Sequence, residues 1–160
     1  STIGPLINTA AAAKVKAHVE DALAQGATLF AQAPEGATGE RFARPVVLTG
    51  ATRDMRLAEE ETFGPVAPLF RFTHEEEGIE LANATSYGLA SYFYTENLHR
   101  AFRVAERLEA GMVALNSGAI AMEVAPFGGV KMSGLGREGG RLGIEEYLET
   151  KAFHIAGLKL

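Results

Sequence analysis

The chain has 160 residues, 47% of them hydrophobic and 22% charged, with 15 basic and 20 acidic side chains for a net charge of -5. That balance suits one folded core and excludes a disordered chain, and an acidic chain without a basic block is not expected to bind nucleic acid. There is no cysteine, which excludes disulfides, thiolate metal sites and a cysteine nucleophile within these residues.

After Gly4-Pro5, Asn8 is placed to cap a helix running to about Gln25, with Val15, Val19, Ala22 and Leu23 on one face and Gly26 as its left-handed stop. Thr28 to Ala31 reads as a short strand, Gln32 to Glu40 as a surface loop, and Pro45 to Thr49 as a β-branched strand. Arg56 to Glu61 is charged and reads as irregular. Pro68 to Phe72 is a strand candidate, and Thr73-His74-Glu75-Glu76 has capping-box spacing for a helix ending near Asn83. Leu89 to Tyr94 reads as an aromatic-rich strand. Asn97 caps a helix whose Leu98, Ala101, Phe102, Ala105 and Leu108 form a 3.6-period stripe expected to be core. Gly111 ends that helix, and Met112 to Leu115 is a short apolar strand of the kind buried on both faces. Beyond Asn116 glycines crowd the sequence. A last helix with Ile144, Tyr147 and Leu148 and a terminal strand over Lys151 to Ile155 are expected.

The alternation predicts an α/β fold, with a mostly parallel sheet and flanking helices, and no second domain boundary. No apolar run approaches the ~20 residues of a membrane-crossing helix. Ser1-Thr2-Ile3-Gly4-Pro5 lacks the charged and apolar regions of a secretion signal, so a cytoplasmic location is expected. The histidines His18, His74, His99 and His154 make no ligand pair at helical spacing, and no metal site is expected.

Three motifs invite a functional reading. Gly134-Leu135-Gly136-Arg137-Glu138-Gly139 matches a dinucleotide fingerprint literally, but no strand leads into it and too few residues follow it for a βαβ unit, so it reads as a structural glycine turn. In Glu59-Glu60-Glu61-Thr62-Phe63-Gly64-Pro65 the glutamates are either a solvated face or a site. In the second case a carboxylate beside a Gly-Pro turn accepts two hydrogen bonds from vicinal sugar hydroxyls while Phe63 packs on an aromatic ring. Phe127, in Pro126-Phe127-Gly128-Gly129, either plugs the core or walls a pocket. Lys131, Arg137 and Glu138 form an internal ion pair or are surface charge. Ser117 and Ser133 have no nucleophile-elbow context.

Taken in order, Gly4-Pro5-Leu6-Ile7-Asn8, Glu60-Glu61-Thr62-Phe63-Gly64-Pro65-Val66, Ala82-Asn83, Tyr87-Gly88-Leu89-Ala90, Gly111-Met112-Val113, Pro126 to Gly134, Gly136-Arg137-Glu138-Gly139 and Glu146-Tyr147 resemble the carboxyl-terminal part of NAD(P)-dependent aldehyde dehydrogenases. The stretch Glu123 to Gly129 with Ser133 to Gly140 is most similar to succinate-semialdehyde dehydrogenases.

The resemblance implies that residues 1–150 belong to the later part of the family's catalytic domain and that residues 151–160 are an oligomerisation strand and tail. It implies NAD or NADP as cofactor, a small-molecule aldehyde as substrate and a homo-oligomer. Glu61 then matches the glutamate that holds the nicotinamide ribose and Phe63 the aromatic beside the nicotinamide. Phe127 matches an aromatic of the aldehyde tunnel, and the 116–125 loop the segment shaping substrate entry. In the family a cysteine thiolate attacks the aldehyde, hydride passes to the cofactor, and water activated by a glutamate hydrolyses the thioester. That cysteine and base precede the matched region, so the resemblance implies a missing amino-terminal part and an isolated chain without activity. Succinate-semialdehyde dehydrogenases commonly carry serine or asparagine before the glutamate matched by Glu123; Ala121 and Met122 stand there. Losing such a donor weakens binding of an acid-bearing substrate by ~1.5–3 kcal/mol. The alternative is a stand-alone, non-catalytic interaction module derived from the same fold.

Overall fold

A computed structural model describes residues 3–36 and 39–159. Asn8 begins α1 (Thr9–Ala24) as its short polar side chain permits, accepting the Ala11 N–H at 2.8 Å. Gly26, at φ +100°, takes the left-handed turn that ends it. The buried stripe of α1 is Val15, His18 and Ala22, whereas Leu23 is exposed. The core-facing stripe is thus rotated toward His18 relative to the expected one.

The chain divides into two compact units after Gly78, inside a helix, where the sequence suggested one continuous piece. In the first unit β1 (Thr28–Gln32), β2 (Val46–Thr49) and β3 (Val66–Leu69) form a sheet in that order. β1 runs antiparallel to β2, and β2 parallel to β3. The stretch read as irregular contains a short helix, α2 (Arg56–Glu59). Leu57 joins Ala22, Ala27, Leu48, Ala51 and Met55 in the core, with Val66 and Phe70 packed against it. One apolar residue at the right phase suffices to anchor a single turn, and that is too short for a periodicity signal.

α3 (Glu75–Asn83) starts where expected, but the glutamate that reaches back is Glu77, whose carboxylate accepts the Thr73 N–H at 2.7 Å. In the second unit β5 (Ala90–Phe93), α4 (Leu98–Arg107) and β6 (Met112–Leu115) form a parallel crossover, the arrangement the helix–glycine–strand order predicts. Asn97 caps α4 through the Arg100 N–H at 2.9 Å. The helix buries Ala101 and Val104 and leaves Leu98 69% and Phe102 65% exposed, so the expected Leu98–Phe102 core stripe is corrected. Small residues at 101 and 104 let the helix lie close; the larger ones fall on a neighbouring face.

β4 (Tyr87–Gly88) pairs antiparallel with β7 (Val130–Lys131). The fold is α/β with parallel strand pairs, but among the described residues the strands form three separate sheets, with antiparallel pairings alongside the parallel ones. The last helix is a 3-10 helix, Leu142–Tyr147, with no buried residue. The terminal strand expected over 151–155 pairs with no strand among the described residues: residues 148–159 are without regular structure, and Phe153 and Ile155 are exposed. Among the described residues no helix is long and apolar enough to cross a membrane.

Candidate functional site

Segment 60–65 follows α2 and leads into β3, and one face of α1 holds it residue by residue. The Arg56 N–H donates to Asp21 Oδ2 at 2.9 Å, and the Arg56 guanidinium donates to the Glu60 carboxylate at 3.1 and 3.3 Å. Lys14 Nζ donates to the Glu61 carbonyl at 2.6 Å. The His18 ring, buried completely, lies 3.0 Å from Thr62 Oγ1 through Nδ1 and 3.2 Å from Glu60 Oε2 through Nε2. The hydrogen bond from Arg56, and after it the one from His18, hold the Glu60 carboxyl below its ordinary range.

Phe63 sits at φ +49°, a left-handed conformation unfavourable for an aromatic residue, and its ring is 79% exposed. Gly64 beside it is obligatory: a methyl group there would collide with Val15 Cγ2. The outcome is a rigid turn with two groups turned outward. The Glu61 side chain is exposed and no partner engages its carboxylate among the described residues; the Phe63 ring is bare. The sequence placed both in one site, and the structure sets them on one turn. An unpaired carboxylate accepts two hydroxyl donors, and a bare ring takes a planar heteroaromatic group.

Phe127 lies in the second unit on a loop closed by paired hydrogen bonds of 2.7 Å between Phe127 and Glu138. Arg137 Nη1 donates to the carbonyls of Gly129 at 2.8 Å and Gly136 at 2.7 Å, so it is a backbone staple and not a partner of Glu138. Left-handed Gly134, Gly136, Gly139 and Gly140 shape the loop, the structural role that context gave to the fingerprint match. Phe127, partly exposed, lines a cavity of about 540 Å³ together with Leu89, Arg137, Glu146 and Tyr147. The pocket-wall alternative therefore describes its position.

Ala121 and Met122 are exposed on the 116–125 loop and do not line that cavity. The loop is anchored at Asn116, whose side chain accepts the Thr95 N–H and donates to the Thr95 carbonyl, and at Gly140, whose N–H donates to the Glu123 carbonyl at 3.0 Å. Lys131 pairs with Glu109 and donates to the carbonyls of Asn83 and Thr85. No cluster of three or more potential metal ligands occurs among the described residues. His18 is the site residue that sequence reasoning missed. Its place on the α1 face between Val15 and Ala22 signals burial but not its partners.

Residues 1–153 match the model of the aldehyde dehydrogenase family. The chain belongs to that family. It is 57% identical over 157 residues to 3-sulfolactaldehyde dehydrogenase of Pseudomonas putida, covering 98% of this chain and 32% of that protein. It is 52% identical over 158 residues to succinate semialdehyde dehydrogenase of Acinetobacter baylyi, covering 99% and 33%. Among solved structures, succinate-semialdehyde dehydrogenase from Burkholderia pseudomallei superposes with a TM-score of 0.87 at 58% identity, covering 92% of this chain and 30% of that one. The chain thus spans about a third of the length of the family members it matches, and the matched third is their carboxyl-terminal part.

Proposed function

We propose that the 60–65 turn is the nicotinamide-ribose face, and the 127–129 loop the aldehyde-facing wall, of an NAD(P)-dependent aldehyde dehydrogenase. Its substrate class is a semialdehyde such as succinate semialdehyde, oxidised to the carboxylic acid. The observation carrying this reading is the Glu61–Phe63 pair, exposed on a turn that Lys14, Val15 and His18 of α1 hold through the Glu61 carbonyl, Gly64 and the Thr62 hydroxyl. Relatives named as NADP(+) enzymes and a related betaine aldehyde dehydrogenase solved with NAD+ support the cofactor class.

The residues fit that group. Glu61 accepts the ribose hydroxyls, and Phe63 flanks the nicotinamide ring. The bound cofactor supplies the hydride acceptor. Phe127 excludes water from the aldehyde path, while Ala121 and Met122 offer no side-chain hydrogen-bond donor to the substrate's acid group, which therefore finds its cation outside these residues. Because the chain has no cysteine, the attacking thiol also comes from polypeptide beyond it. Residues 151–155 add a strand to a neighbouring subunit, and the enzyme works in the cytoplasm.

Two preparations test this reading: the 160-residue chain, and the polypeptide joining it to a cysteine-bearing amino-terminal part. With NAD or NADP, the longer polypeptide is expected to reduce cofactor with succinate semialdehyde, glutarate semialdehyde or 3-sulfolactaldehyde, and the short chain with none of them. Steady cofactor reduction by the short chain, or none by the longer one with any aldehyde, overturns the proposal.

A further inference from the structure

We infer that His18, aided by Lys14 one turn earlier on α1, is a positioning residue for the Glu61 carboxylate. The inference rests on the cofactor-facing reading of Glu61 given above. Three consecutive residues are clamped by one helical turn: Glu60 and Thr62 by the two nitrogens of the His18 ring, and Glu61 through its carbonyl by Lys14 Nζ. An ionised carboxylate only accepts hydrogen bonds, so His18 Nε2 carries the proton donated to Glu60. In the neutral ring Nδ1 is then the acceptor for the Thr62 hydroxyl. The ring therefore bridges the side chains on both flanks of Glu61 and leaves the Glu61 side chain alone unengaged.

The expense of that arrangement shows what it does. A fully buried imidazole gives up its water, and an aliphatic side chain would fill the same space without that penalty. Both ring nitrogens recover it on one short segment, 42 and 44 residues distant in sequence. Val15, between Lys14 and His18, also occupies the space that keeps Gly64 a glycine. The α1 face thus sets the path of the turn that presents Glu61 and Phe63, and a carboxylate meeting two hydroxyls requires that path to be fixed within about 0.5 Å.

The test is steady-state kinetics on the polypeptide that includes the cysteine-bearing part, in the variants Glu61→Gln, His18→Phe, His18→Asn, His18→Gln and Lys14→Met and the double variant Glu61→Gln/His18→Phe. Glu61→Gln is expected to raise the cofactor KM by roughly 10- to 100-fold. His18→Phe is expected to raise it about tenfold with the aldehyde KM within about twofold, and the double variant to be no worse than Glu61→Gln alone, because His18 acts through Glu61. His18→Asn and His18→Gln, whose amides supply a donor and an acceptor in place of the ring nitrogens, are expected to fall between. Lys14→Met removes the ammonium that donates to the Glu61 carbonyl and is expected to raise the cofactor KM a few-fold.

Multiplicative losses in the double variant, or parallel changes in both KM values, overturn the inference in favour of a merely structural histidine. Should His18→Phe fail to fold, an unchanged cofactor KM in Lys14→Met, His18→Asn and His18→Gln overturns it equally. An unchanged KM in Glu61→Gln instead removes the reading of Glu61 itself, which separates the two failures.

Discussion

At Gly64 one added methyl group would meet Val15, and the residue before it is already in a left-handed conformation. Gly64→Ala is therefore expected to lower stability by about 1–3 kcal/mol, read from urea unfolding, with faster amide exchange confined to the 60–65 turn. An unchanged midpoint would show that the turn is looser than described. Glu60 supplies a pH dependence with a definite sign. Its carboxyl is held low by Arg56 first and His18 second, so the contribution of these bonds is complete above the ordinary value of 4.5 and is lost as pH falls through the lower folded-state value. Amide exchange at 60–63 is expected to accelerate on acidification below that value; exchange indifferent to pH beyond its chemical trend would contradict it. At this scale residue type and family resemblance single out Glu61 and Phe63, and the structure sets both on one turn. The role of His18 was illegible because a histidine on an apolar helix face says nothing of partners more than forty positions away.

Among the elements, those with an end signal were readable. Asn8, Asn97 and Gly26 marked helix boundaries that the hydrogen bonds bear out, and the β5–α4–β6 crossover followed from order alone. Elements decided by tertiary contacts were not. α2 is one turn long, and the face of α4 that is buried was set by which residues are small enough to pack, Ala101 and Val104, instead of by Leu98 and Phe102. Asn83 is a comparable case, a family landmark whose function is local. Its amide donates to the Arg107 carbonyl and its carbonyl oxygen accepts the Glu109 N–H, each at 2.8 Å, closing the end of α4 ahead of β6. Asn83→Ala is expected to destabilise the chain by about 0.5–1.5 kcal/mol in the same unfolding assay, since two backbone groups at the end of α4 lose their partner. A change below the assay's resolution would mean that water replaces the amide freely.

For the whole molecule, surface area is the telling quantity. Near the carboxyl end Leu142, Ile144, Tyr147, Leu148, Phe153, Ile155 and Leu158 are exposed, and the two-stranded parallel sheet β5–β6 is of a size that is marginal without further cover. The isolated chain is therefore expected to self-associate in sedimentation and to bind apolar dyes. A monodisperse monomer free of dye would count against that. Part of this was visible in the sequence, since a resemblance to a third of a longer family implies surfaces built to meet the remainder. How much apolar area stays uncovered required coordinates.

The central claim is that Glu61 holds the nicotinamide ribose of the cofactor. A crystal structure of the polypeptide containing the cysteine-bearing part, with NAD(P) bound, tests it directly. The account predicts Glu61 oxygens within hydrogen-bonding reach, about 2.5–3.0 Å, of the nicotinamide ribose hydroxyls. A Glu61 carboxylate in bulk solvent away from the cofactor would contradict it.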